Sequence, residues 1–457
     1  MKPFVTSVCV VLLFTTSAFA QGAARPDADP RIAEIVASVS QQRLQQLVER
    51  LASFGTRHTL SDTTSQSRGI GAAREWILEE LKRSSSRLQV SFDTYKVARQ
   101  GRITRDVELR NVVAVLPGRS PRRVYVTTHY DTVSIPGGQN SSGTRPAGQA
   151  PPDPQLRDDQ DYNVDAPGAN DNGSGTALTM ELARVLAESG LDFDATLVFA
   201  LWAGEEQGLI GSRAHAQRIA ADKTVVVEAV LNNDIVGNSR GGNGIVDAES
   251  VRVYSNGPED STSRSLARYV ARVAALYVPS HRIRLMARED RFGRGSDHSS
   301  FNAFNIPAVV FREANENFDK QHAPSDTVDG VDAVYLAQNT RVSAAVAASL
   351  ALAPPAPRVT NERGQPTIGR QPSGYDANLR WTASPGAVAY RVFWRDTWTP
   401  DWQHSQIVGN VTEFVLPNVS IDDFVFGVSA IGADGHESVV SAYVSPQRRD
   451  NDVKLLP

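Results

Sequence analysis

Two histidines and four carboxylates stand on short, turn-flanked segments of the chain: His129 in T-T-H-Y-D, Asp171 in G-A-N-D-N-G-S-G, Glu205-Glu206 in W-A-G-E-E, Asp234 in N-N-D and His322 in Q-H-A-P-S-D-T. Imidazole nitrogen and carboxylate oxygen both suit a divalent ion such as zinc, and one carboxylate can bridge a pair of ions. Paired ions polarise a carbonyl and acidify a water, so the expected chemistry is metal-assisted hydrolysis. Each signal has a bland reading when taken alone. H-x-D suits a satisfied surface histidine, Asp171 a helix N-cap, the glutamate pair a solvated loop, Asp234 a turn and His322 an exposed loop. What sets them apart is their common place just after apolar runs or at loop mouths, in a consistent order along the chain.

Those groups need elements to position them. Apolar runs at 111–116, 124–128, 196–202, 225–231 and 306–311 read as strands, with helical patterns between several of them. Such alternation predicts a three-layer α/β/α sandwich on a mixed, largely parallel sheet, and in open sheets of that kind sites form beyond the carboxyl ends of the strands. His129 and Asp131 are two residues apart, so an extended chain points both the same way. Asp131 can then hold the second ring nitrogen of His129. Gly173 and Gly175 let backbone come close to a ligand beside Asp171. Two adjacent carboxylates facing a cleft, Glu205 and Glu206, repel unless cations compensate them.

Helical spacing links Ile32, Ile35, Val36 and Val39, then Leu44, Leu47, Val48 and Leu51. A second helix carries Trp76, Ile77 and Leu81. After Asp171 a third places Leu178, Leu182, Val185 and Leu186 on one face with Arg184 off it, and a last helix over 331–352 closes the domain. Ala353-Pro354-Pro355-Ala356-Pro357 then reads as an extended linker. Short β-rich segments at 379–381, 389–394, 413–416 and 424–430 alternate with turns, as in a small all-β sandwich over 358–447, with a tail at 448–457.

At 457 residues, 41% hydrophobic and 21% charged, the chain has a globular composition with room for two or three domains. Lys2, an apolar run over 5–14 and Ala18-Phe19-Ala20 before Gln21 form a signal-peptide pattern over 1–20, so the protein is expected outside the cytoplasm, extracellular or periplasmic. That run is too short to span a membrane, and no later stretch approaches the roughly 20 apolar residues required. Cys9, the only cysteine, lies in the leader, which leaves the mature chain without disulfides or a thiolate ligand. A lipid anchor at Cys9 is disfavoured because the apolar region itself follows it. Losing Lys2 leaves 46 Lys+Arg against 51 Asp+Glu, a net −5 that argues against nucleic acid as partner. No H-E-x-x-H occurs, nor a convincing G-x-S-x-G with triad partners. His215, His281, His404 and His436 read as surface or packing residues.

Over 32–352 these motifs make the chain resemble the secreted co-catalytic di-zinc aminopeptidases, a group that includes glutamate-carboxypeptidase-like and glutaminyl-cyclase-like relatives. The resemblance implies two zinc ions per chain. His129, Asp171 and Asp234 would hold one and Asp171, Glu206 and His322 the other, with Asp171 as bridge. Glu205 would be the general base and Asp131 the support of His129. Gly295-Ser296-Asp297-His298-Ser299-Ser300-Phe301 matches a further block near the substrate pocket, which makes His298 a non-ligand. Implied substrates are peptides with a free N-terminus. Rivals on the same scaffold are a carboxypeptidase or dipeptidase and a single-zinc glutaminyl cyclase. A metal-free adhesion module is a third class, against which every matched ligand is present.

Two departures stand out. A segment at 134–167, rich in Gly, Pro, Asn and Asp, is longer than in many relatives and reads as a lid or a solvated loop. Gln321 stands where some relatives carry a tyrosine that assists the oxyanion, leaving that assistant unassigned. The tail resembles a fibronectin type III domain through Trp381, Tyr390, the run 424–430 and Gly435-His436-Glu437-Ser438. Phe424 replaces that family's tyrosine, so its corner hydrogen bond should be missing. Surface or polymer contact, substrate binding and removal on maturation are the roles open to this tail.

Overall fold

The computed structural model describes residues 28–135, 162–370 and 374–444. The expected leader with Cys9, most of the 134–167 segment and the 448–457 tail lie outside the described residues. The chain opens with helices α1 (Pro30–Ala37), α2 (Gln41–Ala52) and α3 (Gly69–Ser84), then strands β1 (Gln89–Val97), β2 (Val107–Leu116) and β3 (Arg122–His129). There follow α4 (Gly173–Glu188), β4 (Thr196–Trp202), α5 (Ile210–Ala221), β5 (Val226–Asn233), β6 (Ser250–Ser255) and α6 (Thr262–Tyr277). β7 (Arg282–Met286), α7 (His298–Asn302), β8 (Ala308–Glu313) and α8 (Ala333–Leu352) complete the first domain.

Its eight strands form one sheet in the order β1-β2-β4-β3-β5-β8-β6-β7. The central pairs β4-β3, β3-β5 and β5-β8 are parallel. Antiparallel pairs flank them on both sides. Central strands bury both faces: Val124 and Val126 enter the larger core, while Tyr125 between them enters a second one with Val198 and Val230. A strand covered on both sides reads as a continuous apolar run, and that is how the central strands stand out in the sequence. α8 is buried along nearly its whole length in the larger core.

The single apolar periodicity over 32–51 proves to be two helices. The Ser38 hydroxyl donates to the Ile35 carbonyl at 2.8 Å, and Ser40 Oγ accepts the Arg43 N–H at 3.2 Å to cap α2. Residues 354–359 carry neither helix nor strand, and the carbonyl of Ala353, itself in extended backbone, accepts from Arg122 Nη2 at 2.8 Å. Beyond the linker lies a separate antiparallel domain built from β9 (Ile368–Arg370), β10 (Ala377–Arg380), β11 (Ala387–Asp396), β12 (His404–Gly409), β13 (Glu413–Leu416), β14 (Phe424–Gly432) and β15 (Ser441–Ala442). A three-stranded sheet, β13-β10-β9, faces a four-stranded one, β12-β11-β14-β15, over a core containing Leu379, Trp381, Tyr390 and Phe426. No described helix is long and apolar enough to cross a membrane.

Candidate metal centre

Every expected ligand lies at the carboxyl edge of the parallel strands. His129 ends β3, Glu205 and Glu206 follow β4, Asp234 follows β5 and His322 lies in the loop after β8. Asp171 stands just ahead of α4. The cap of that helix is Asn172, whose side chain accepts the Gly175 N–H at 2.9 Å, so the Asp171 carboxylate is left for other contacts. Its two oxygens diverge: Oδ1 is 3.5 Å from His129 Nε2, and Oδ2 is 3.1 Å from His322 Nε2. Asp234 Oδ1 also lies 3.5 Å from His129 Nε2, and Glu206 Oε2 lies 3.4 Å from His322 Nε2.

His129, Asp171 and Asp234 therefore form one ligand group, and Asp171, Glu206 and His322 another. Tetrahedral zinc with bonds of about 2.0–2.1 Å sets its ligand atoms roughly 3.3–3.4 Å apart, close to these separations. Two buried oxygens in the set, Glu206 Oε1 and Asp234 Oδ1, have no hydrogen-bond partner in the protein. The donors fit zinc in type, spacing and unsatisfied valence. Glu205 is grouped with His129 and Glu206 rather than with Asp171, and it keeps some exposure where Glu206 is buried.

The sequence profile described as Peptidase family M28 matches residues 111–347. A probable zinc metalloprotease of Pyricularia oryzae is 38% identical over 90% of this chain and 84% of its own length. Another, from Leptosphaeria maculans, is 36% identical over 91% of this chain and 97% of its own. The chain belongs to peptidase family M28. Among solved structures, the LapA aminopeptidase of Legionella pneumophila superposes with a TM-score of 0.53 at 21% identity, covering 72% of this chain and 76% of LapA. A glutaminyl cyclase of Porphyromonas gingivalis gives 0.51 at 17% identity, covering 67% and 97%. At those identities the likeness is one of fold.

In this M28 zinc metallopeptidase Asp131 does more than steady His129. The His129 Nδ1 lies 3.1 Å from the Asp131 carbonyl oxygen and 3.6 Å from its carboxylate, so the nearer support is the backbone. The carboxylate oxygens accept the N–H groups of Glu205 and Glu206, each at 3.2 Å, and the Thr59 hydroxyl at 3.2 Å. Asp131 thus ties the end of β3 to the turn after β4.

Further groups of the M28 centre carry no ligand signature and emerge only from the fold. Ser296 donates to Asp234 Oδ2 at 2.5 Å, and Arg312 pairs with the same oxygen at 3.0 Å and with Asp290 at 2.8 Å. Asp326 accepts the N–H groups of Asn170 and Asp171 at 3.0 and 2.8 Å. Ser296 and Asp326 sit inside the quoted blocks G-S-D-H and H-A-P-S-D, the one signal that could have marked them. Arg312 has only its place at a strand's carboxyl end. His298 is fully buried with Nε2 2.8 Å from the Glu289 carbonyl, and belongs to no ligand group among the described residues. Gln321 is turned inward and donates to Glu316 Oε2 at 3.1 Å.

Acid dominates this pocket. Burial would lower His129, but the surrounding carboxylates, Glu205 first, raise it well above the usual histidine range. Burial pushes Glu205 and Glu206 well above the carboxylate range, reinforced by neighbouring acids. Asp171 moves the other way: burial is outweighed by His129 and His322, which hold it far below. Asp297, buried beside the same cluster, is pushed up to about 7 by burial. Cations are what such a collection of carboxylates calls for.

Proposed function

We propose that this peptidase is an exported aminopeptidase with two zinc ions per chain, cleaving the first peptide bond of substrates with a free N-terminus. The observation that carries this reading is the Asp171 carboxylate, which offers one oxygen toward His129 and the other toward His322. Each oxygen completes a different three-residue group, the arrangement a co-catalytic pair requires.

Zinc, when bound, supplies Lewis acidity to the scissile carbonyl and lowers the pKa of water. His129 and Asp234 would hold one ion and Glu206 and His322 the other, with Asp171 the residue common to both groups. Glu205, partly exposed and outside the two Asp171 groups, takes a proton from the attacking water and returns it to the leaving amine. The acid-rich wall gives the substrate's α-ammonium group an ionic partner, and this favours amino-terminal over carboxy-terminal trimming. The 1–20 segment supports export and predicts a mature chain beginning at Gln21, which N-terminal sequencing of the exported protein checks. A three-stranded sheet facing a four-stranded one supports reading 358–447 as a fibronectin type III-like domain.

Glu205→Gln tests the mechanism. The variant should keep about two zinc ions per chain by elemental analysis while turnover falls roughly 10²–10⁴-fold. Full activity would remove Glu205 from the role of base. One zinc per active chain would favour a cyclase, and cleavage of N-blocked peptides as fast as free ones would favour a carboxypeptidase.

A further inference from the structure

Behind the ligand loops lies a cation that neither metal nor substrate needs to touch. Arg57 is 0% exposed and has no carboxylate within ion-pairing distance among the described residues. Its guanidinium instead donates to four backbone carbonyls on three separate segments. Nε reaches Tyr130 O at 2.7 Å; Nη1 reaches Leu51 O at 3.0 Å and Pro167 O at 2.7 Å; Nη2 reaches Gly168 O at 2.9 Å. The backbone repeats the connection: Arg57 N–H donates to Thr132 Oγ1 at 2.9 Å, and that hydroxyl donates to Ala166 O at 2.9 Å.

Tyr130 directly follows His129, and Gly168 precedes Asp171 by three residues. The strap therefore joins the two chain segments that carry His129 and Asp171. A side chain buried only for packing has no use for a planar fork of five donors, and burying that fork is costly unless its hydrogen bonds are met. We propose that Arg57 is a positioning residue of the metal centre: by spanning the end of β3 and the approach to α4, it fixes His129 against Asp171 in the spacing that receives the ions. Its charge serves the same end. Burial lowers the guanidinium only to about 10, with Asp326, Asp131, Asp171 and Glu206 acting in the opposite sense, so it stays cationic behind the acidic cluster.

This inference rests on the metal-centre reading above, and zinc itself is the probe that separates the two. Full-length wild type, Arg57→Lys and Arg57→Met are stripped of metal, titrated with zinc against a chromogenic chelator, and loaded with cobalt for visible spectra. Lysine keeps the charge but cannot reach four carbonyls. Both variants should therefore lose about 10–100-fold in zinc affinity, the range seen when groups orienting ligands are removed. Their cobalt spectra should change, and the gap between zinc-loaded and metal-free unfolding midpoints should shrink. A merely structural arginine would lower both midpoints together and leave affinity and spectrum alone, and that result overturns the proposal. If Arg57→Met does not fold, Thr132→Val removes one link of the same strap with little change in volume. Reduced zinc affinity there supports the proposal, and wild-type affinity overturns it. Wild-type protein that takes up no zinc would overturn the metal-centre reading and this inference with it.

Discussion

Asp234 shows how much of a metal ligand's behaviour is set by what holds its other oxygen. Ser296 at 2.5 Å and Arg312 at 3.0 Å both engage Oδ2, which leaves Oδ1 directed at His129. Burial alone would raise this carboxyl, yet Arg312 and His129 hold it well below the usual range, so it is a charged donor at any working pH. Ser296→Ala removes the neutral half of the grip while Arg312 keeps the charge. Zinc affinity, read by chelator competition, should fall by about 10–100-fold with stability nearly unchanged. Unaltered affinity would mean that the guanidinium orients the carboxylate by itself. The same residue marks the limit of reading a site from sequence. His129, Asp171, Glu206, Asp234 and His322 are visible together because they recur in a consistent order just after apolar runs or at loop mouths, although each alone has an ordinary reading. Ser296 and Arg312 are ordinary residues until the fold brings them to Asp234, and Asp131 was legible as a partner of His129 but not as the anchor of the Glu205-Glu206 turn.

At the scale of elements, the start of α4 is a closely packed joint between helix and sheet. Asn172 caps the helix, and its side-chain nitrogen donates to Thr128 Oγ1 and to the Asn233 carbonyl, each at 2.9 Å. The helix is thereby pinned to the ends of β3 and β5, with Asp171 at its mouth. Gly175 faces this joint. A Cβ there would come 2.3 Å from the Asn233 carbonyl oxygen and 2.6 Å from Thr128 Oγ1, and the former is backbone that cannot swing away. Gly175→Ala should cost about 1–3 kcal/mol as an overpacked site, seen as a lower urea midpoint, and should weaken zinc binding because α4 carries Asp171 with it. Gly369→Ala, whose Cβ would meet nothing within 4 Å, is the control. A Gly175→Ala protein as stable as that control would refute the close approach. The N-D-N-G-S-G run announced a special turn, although the capping role belongs to Asn172 and not to Asp171. Strands β3, β4 and β5 were legible because both faces are buried. β1, β6 and β7 were not, since the outer strands β1 and β7 each leave much of their length in solvent and all three mix polar with apolar residues. Likewise, apolar spacing runs unbroken from α1 to α2, and only the hydrogen bonds of Ser38 and Ser40 divide them.

Taken whole, the molecule keeps its chemistry and its second domain at opposite ends of the sheet. The parallel strands deliver ligands at their carboxyl ends, while Arg122 and Glu228, at the beginnings of β3 and β5, sit where α8 hands over to the linker. About seven residues of strand at roughly 3.3 Å each separate the two ends, a little over 20 Å. Arg122 pairs with both Glu228 and Asp194 and donates to the Ala353 carbonyl. The β domain is further tied on by His436 Nε2 to Asp29 Oδ2 at 2.9 Å and by Arg268 Nε to the Pro400 carbonyl at 2.6 Å. Glu228 lines the groove between the domains together with Pro307, Leu350 and Val440. Burial there raises its carboxyl from 4.5 to about 7 against the pull of Arg122, with Asp194 adding to the rise. The folded chain therefore holds this proton more tightly than the unfolded one. Its contribution to stability is complete below about 4.5 and is lost as the pH climbs through about 7. Glu228→Gln cannot ionise and still offers Arg122 a carbonyl. Relative to wild type it should gain stability between pH 5 and pH 8, measured as the difference in urea midpoints at the two values. Hydrolysis of a short peptide should be unaffected at either pH, because the substitution lies a sheet's length from the ligands. A midpoint difference that stays constant with pH would show that Glu228 ionises as freely in the fold as outside it, and that the groove between the domains is open to water.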